Sequence, residues 1–300
     1  MEYIYVVAGL AMLLAGGEFL VSGAGGLARK LGVSAFMVGA VVIGFGTSAP
    51  ELTTSIVAGI KGSGGIAIGN VVGSNIANIF LILGVASLIR PLKIDRKTFG
   101  NDAAFLALSA AAAIAAAAVG RLNFISGCLF LSVVAAYVVL SYKSEKKSDE
   151  AEPVRGGALV FVIKTVFGIA AVIIGAKLLV DGSITLARAW GVSEAVIGLS
   201  IIAVGTSLPE LAASSIAAAR GSSGLAVGNV VGSNIFNVFF ILGVASVLMP
   251  MDIAGMGFDI AVMTAATMTL IGIAYWRGVF SRWTGAAFLA AYAAYMAAIF

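Results

Sequence analysis

Two carboxylates embedded in apolar sequence, each inside a copy of the same motif, constrain this chain more than any other feature. The first copy reads Gly44-Phe45-Gly46-Thr47-Ser48-Ala49-Pro50-Glu51, followed after a short gap by Gly69-Asn70-Val71-Val72-Gly73-Ser74-Asn75-Ile76-Ala77-Asn78. The second reads Ala203-Val204-Gly205-Thr206-Ser207-Leu208-Pro209-Glu210, then Gly228-Asn229-Val230-Val231-Gly232-Ser233-Asn234-Ile235-Phe236-Asn237. Every match in the motifs falls 159 positions after its partner, as Asn75 does with Asn234. An acidic side chain at the centre of a membrane span costs roughly 2.5 to 3.5 kcal/mol on insertion scales, so a chain that carries two of them has a use for both.

The surrounding sequence fits a bilayer. Of 300 residues 61% are hydrophobic and only 11% charged, with a mean hydropathy of +1.10, too apolar to present a water-facing surface. There is no histidine, which removes the usual general base and the commonest zinc ligand. Cys128 is the single cysteine; it can form no internal disulfide and is expected to be a small buried hydrophobe. The net charge of +4 needs no nucleic-acid partner, because the basic residues fall in short loops where membrane orientation accounts for them. No basic segment precedes the first apolar run, so it reads as a retained helix rather than a cleaved leader.

Apolar runs long enough to span lie near 3–27, 35–60, 66–89, 102–119 and 123–142, and again near 158–182, 192–219, 224–249, 257–276 and 284–300. The expected fold is therefore an all-α membrane protein of ten transmembrane helices. It divides into a first five-helix repeat at 1–142, a solvated mixed-charge linker at 143–157 and a second repeat at 158–300. Gly16, Leu20, Gly23 and Arg29 recur as Gly175, Leu179, Gly182 and Arg188, and Pro91 recurs as Pro250, so the duplication extends beyond the motifs. Five spans are an odd number, which makes the second repeat inverted. With both termini outside, the cytoplasmic loops hold Arg29, Lys30, Arg90, Lys93, Arg96, Lys97, Lys143, Lys146, Lys147, Arg155, Arg220, Arg277 and Arg282. Only Lys61, Arg121 and Arg188 then face outward, and this asymmetry sets the orientation.

Pro50 cannot donate to the carbonyl of Gly46, nor Pro209 to that of Gly205, so spans two and seven should break at these prolines and free backbone oxygens at mid-membrane. Ser48 with Glu51 and Ser207 with Glu210 also fit a capping box that starts a half-helix, expected here alongside a cation site. Ser74 and Asn78, like Ser233 and Asn237, are four apart and can project oxygens to one point. With Thr47, Ser48, Thr206, Ser207 and the two glutamates, every candidate ligand is a hard oxygen, which suits calcium and sodium and not zinc or copper. Asn70, Asn75, Asn229 and Asn234 fit either ligation or polar bonds between helices. Gly69, Gly73 and Ala77, echoed by Gly228 and Gly232, form a small-residue packing stripe. Glu18 and Lys177, equivalent positions near the ends of spans one and six, are expected to pair or to snorkel.

These paired motifs resemble the alpha-repeats of the calcium/cation antiporter superfamily, specifically the sodium/calcium exchanger membrane domain in its short prokaryotic form, over nearly the whole chain. The resemblance implies that Glu51 and Glu210 hold calcium and sodium alternately. It further implies that Ser48, Ser74, Ser207 and Ser233, with the backbone oxygens of Gly44 and Ala203, serve flanking sodium sites, and that Thr47 and Thr206 offer backbone carbonyls to calcium. It implies too that spans one and six slide across a fixed core to alternate access. Well-studied members have an aspartate where this chain has Asn237, which leaves two carboxylates and keeps sodium, proton and potassium open as coupling ions. The expected function is sodium/calcium antiport at the cell membrane by a monomer. It uses no cofactor and no catalytic chemistry, its partners being calcium, sodium and the lipid bilayer. The alternatives are calcium/proton antiport, a calcium-permeable channel with a two-glutamate filter and, with least support, an intramembrane hydrolase.

Overall fold

A computed structural model of the chain describes residues 2–96, 99–144, 157–191, 203–253 and 255–299. Seven of its helices are long and apolar enough to cross a membrane. They are α1 (Glu2–Leu31), α4 (Gly64–Ile89), α5 (Gly100–Val119), α6 (Phe124–Ser144), α7 (Ala158–Ala189), α9 (Ser223–Leu248) and α10 (Gly257–Trp276). An eighth crossing comes from α2 (Ala35–Thr47) and α3 (Ala49–Ile60), bent by 41° where they meet. A helical turn at Ala203–Gly205, the shorter apolar helix α8 (Leu208–Ala219) and α11 (Arg282–Ile299) complete the described helices. The chain is thus a multi-pass integral membrane protein. Most of the linker, 145–156, and the first part of the expected seventh span, 192–202, lie outside the described residues.

The order of the helices follows from where small residues fall. Gly9, Gly16 and Gly23 on α1 and Gly168, Gly175 and Gly182 on α7 each recur every seven residues, which keeps them on one face. Gly9 faces Leu179 and Gly175, Gly16 faces Ala171, and Gly23 faces Thr165. Numbers that rise along one helix fall along the other, so α1 and α7 run antiparallel. A methyl group at Gly9 would lie 2.5 Å from the backbone nitrogen of Leu179, and one at Gly175 would lie 2.8 Å from that of Leu13, so the backbones approach as closely as glycine allows. The stripe expected around Gly69 and Gly228 is a tight seam in its second copy, where a Cβ at Gly228 or Gly232 would collide with the carbonyls of Phe36 and Ala40 on α2. The segment equivalent to α2, at 192–202, is outside the described residues.

Burial places the centre of the molecule at α4 and α9, whose apolar windows are 67% and 83% buried against 28–39% for the other spans. Both helices carry a wide π-turn, Asn78–Ile82 and Asn237–Ile241, and α2 carries a third at Val38–Ile43. The duplication continues in the outer helices with a small slip. Tyr137 donates to Asp102 (2.7 Å) and Tyr295 donates to Asp259 (2.8 Å), the same tie between α5 and α6 and between α10 and α11. The expectation of a purely helical chain misses two small ribbons: β1 (Leu92–Lys93) pairs antiparallel with β4 (Val279–Phe280), and β2 (Arg121–Leu122) with β3 (Met251–Asp252). Each ties a loop of one half to a loop of the other. Cys128 is exposed rather than buried, because α6 turns that face away from its neighbours.

Candidate cation site

The helix break falls at Ser48, two residues ahead of Pro50, which occupies the first turn of α3. Proline is tolerated there because the amide it lacks would have had no helical partner. Pro209 sits likewise in the first turn of α8, after the turn at Thr206 and Ser207. The expected capping role of Ser48 and Ser207 is not what the structure has: neither side chain caps the helix it precedes. Ser48 Oγ instead donates to the carbonyl of Gly44 (2.8 Å), with Glu210 Oε1 at 3.3 Å as a second, shared acceptor. Ser233 Oγ also donates to the Gly44 carbonyl (3.3 Å). Gly44, Ser48, Ser233 and Glu210 are therefore gathered at one point.

Glu51 and Glu210 are each 1% exposed. The hydroxyls at each break face the carboxylate of the other half: Thr206 and Ser207 stand beside Glu51, and Thr47 and Ser48 beside Glu210. One oxygen of each carboxylate, Oε2, is buried and accepts no hydrogen bond, and Ser207 Oγ is also buried without a partner. Thr47 Oγ1 donates to the Ile43 carbonyl (3.0 Å) and lies 3.3 Å from Asn229 Oδ1. Ser74, 6% exposed, lies on α4 one turn before Asn78. Ala203 opens the helical turn ahead of Thr206.

The asparagines divide into two kinds. Asn70 and Asn229 are clamps: Asn70 Nδ2 donates to the Glu51 carbonyl (3.1 Å) and Ser55 Oγ (3.0 Å), and Asn229 Nδ2 to the Glu210 carbonyl (3.3 Å) and Ser214 Oγ (2.9 Å). They fix the first turn of each glutamate-bearing half-helix. Asn75 and Asn234 form a reciprocal link between α4 and α9. Asn75 Nδ2 donates to the Asn234 carbonyl (3.2 Å), and Asn234 Nδ2 to that of Asn75 (3.3 Å). With their amide nitrogens committed, these two residues can present only Oδ1 to the next neighbour. Asn237 Nδ2 donates to Asn75 Oδ1 and Asn78 Nδ2 to Asn234 Oδ1, both at 2.9 Å. The orientation of the last two amides is thereby dictated, and Asn78 Oδ1 and Asn237 Oδ1 are left buried and unpaired. Four lone acceptors, two on carboxyl groups and two on amides, are the kind of hard oxygen that calcium and sodium take. Sequence reading left Asn75 and Asn234 undecided and missed the π-turns that begin at Asn78 and Asn237; recurrence at the same spacing was the available signal.

A cavity of about 480 Å³ reaches this region between α3 and α7. Pro50, Thr53, Thr54, Lys177, Asp181 and Thr206 are among its lining residues, and Pro50 adjoins Glu51 in sequence. Glu18 does not pair with Lys177. It lies midway along α1 and forms an ion pair with Arg220 at the end of α8, while Lys177 lines the cavity.

Comparison with known proteins agrees with this chemistry. The family described as sodium/calcium exchanger protein matches residues 1–143 and 160–300. The sodium/calcium exchanger MaX1 of Methanosarcina acetivorans is 33% identical across the whole of this chain and 98% of its own length. The inner membrane protein YrbG of Escherichia coli is 30% identical over 91% of this chain and 88% of its own. Among solved structures, the sodium-calcium exchanger NCX_Mj soaked with 10 mM Na+ and zero Ca2+ superposes with a TM-score of 0.89 at 33% identity, covering 99% of this chain and 98% of that one.

Proposed function

Since the chain belongs to the sodium/calcium exchanger protein family, we propose that it is a secondary antiporter that moves calcium against sodium through one site shared by its two halves. The observation that carries this is the set of four buried, unpaired oxygens on Glu51, Glu210, Asn78 and Asn237. In this reading the two carboxylates balance either one calcium or two sodium ions. Asn78 and Asn237 supply neutral oxygens. Ser48, Ser233 and the Gly44 carbonyl, with Ser207, Ser74 and the Ala203 carbonyl on the other side, hold sodium beside them, and Thr47 and Thr206 complete the calcium shell through their carbonyls.

The mechanism is alternating access by two inverted five-helix repeats, 1–142 and 158–300, joined by the linker 143–157. The antiparallel course of α1 and α7, whose sequences are copies of one another, supports the inversion, and the β1–β4 and β2–β3 ribbons are consistent with ten alternating crossings. The glycine seam lets α1 and α7 travel as one body past α4 and α9. We place both termini outside, from the distribution of Lys and Arg, and take the monomer as the working unit. Calcium uptake into proteoliposomes, with sodium, potassium and pH gradients imposed one at a time, tests the reading. Sodium dependence is the expected result. Uptake driven by the pH gradient alone selects calcium/proton exchange, and flux without any counter-ion selects a channel.

A further inference from the structure

The two ends of the molecule differ in charge although they are copies in sequence. Glu18 is the counterpart of Lys177, and Arg220 is the counterpart of Lys61. On the Arg220 face α1 lies against α8: Gly17 abuts Ile216 so closely that a methyl group would collide with it, and Glu18 pairs with Arg220. The pair is about half-exposed, 47% for Glu18 and 48% for Arg220. On the Lys61 face the equivalent helices, α7 and α3, stand apart around the cavity lined by Ala176, Lys177 and Thr54. Ala176 is the counterpart of Gly17, so the same contact is made at one end and open at the other.

We propose that Glu18 and Arg220 form a one-sided latch, which holds the site shut toward the Arg220 face and so biases the protein toward opening on the Lys61 face. Closure on the Lys61 face would bring Lys177 toward Lys61, a cation where the other end has Glu18; Asp181, one turn beyond Lys177 in the same cavity, is the acidic group nearby in sequence and stands at the position of Ser22, not of Glu18. Arg90 stands over Gly221, next to Arg220 in sequence, so Glu18 answers a basic corner. The latch rests on the exchange reading for its meaning as an access step, since it positions α1 and touches no transported ion.

The test follows cavity opening with two reporter cysteines in purified protein in detergent, in a Cys128→Ser background and with an uncharged, bulky maleimide. Thr54→Cys lies in the open cavity; its counterpart Ala213→Cys is 1% exposed on the closed face. Glu18→Gln should slow labelling at 54 and speed labelling at 213, each by roughly two- to fivefold, the range of a partly exposed ion pair. The charge-reversed pair Glu18→Arg with Arg220→Glu should restore both rates. Rates that rise together at both reporters would mean loosened packing and overturn the latch, as would rates that do not change or that the reversed pair fails to restore. Labelling needs no transported ion, so a failure of the exchange reading would appear in flux measurements and leave this result standing.

Discussion

Asn75 donates to one neighbour and accepts from another, and neither partner is a transported ion, yet its loss should weaken calcium binding. In Asn75→Ala the bond to the Asn234 carbonyl (3.2 Å) and the bond from Asn237 Nδ2 (2.9 Å) both disappear. The amide of Asn237 can then rotate and turn its nitrogen, a donor, toward the cation. Interhelical hydrogen bonds within membranes contribute about 0.6 kcal/mol each. Two of them amount to about 1.2 kcal/mol, and at 1.4 kcal/mol per decade this weakens calcium binding roughly sevenfold if all of it serves to hold Asn237 in place. Equilibrium calcium binding to purified protein measures the change, and a double-mutant cycle with Asn237→Ala assigns it. If Asn75 acts through Asn237, adding Asn75→Ala to Asn237→Ala should cost little further. Full affinity in the single variant, or the same loss in both backgrounds, would refute the orientation argument.

Glu51→Gln and Glu210→Gln should each abolish calcium binding and flux, since one carboxylate compensates a divalent ion poorly in a dry site; retained affinity in either would place the site elsewhere. Gly232→Ala drives a methyl group into the Ala40 carbonyl and should destabilise the protein by about 1–3 kcal/mol, visible as a lower unfolding temperature in detergent. Asn237→Asp adds a third carboxylate beside Asn75, and it should tighten calcium binding and raise the number of sodium ions that displace it from two toward three, read from the sodium dependence of calcium affinity.

Much of this was legible in the sequence because the duplication is so regular. A glutamate, a proline and paired asparagines that recur at one spacing within apolar runs point to a broken-helix site, and the break, the buried carboxylates and the family all follow. The details that escaped are those decided by contacts across the halves. Ser48 fits a capping box by spacing alone, but the Gly44 carbonyl and the nearby Glu210 carboxylate take its hydroxyl. Glu18 and Lys177 look like partners because they are equivalent, yet α1 and α7 run antiparallel, so that Gly16 faces Ala171 and Gly9 faces Gly175, and the two side chains lie apart along the seam. The seven-residue glycine spacing of Gly9, Gly16 and Gly23 was visible, but only its match on Gly168, Gly175 and Gly182 across the seam gives it meaning. The π-turns at Asn78 and Asn237 leave no mark in hydrophobic periodicity, because one extra residue in a turn shifts a helical face without interrupting it.

The central claim is that calcium and sodium occupy one site, built on Glu51 and Glu210, in turn. Equilibrium calcium binding to the purified protein over a wide range of sodium concentration tests it most directly. Two carboxylates exchanging one calcium for two sodium ions predict that the apparent calcium dissociation constant rises without limit and becomes proportional to the square of the sodium concentration. Calcium binding that sodium leaves unchanged, or that sodium weakens only to a plateau, would contradict a shared site.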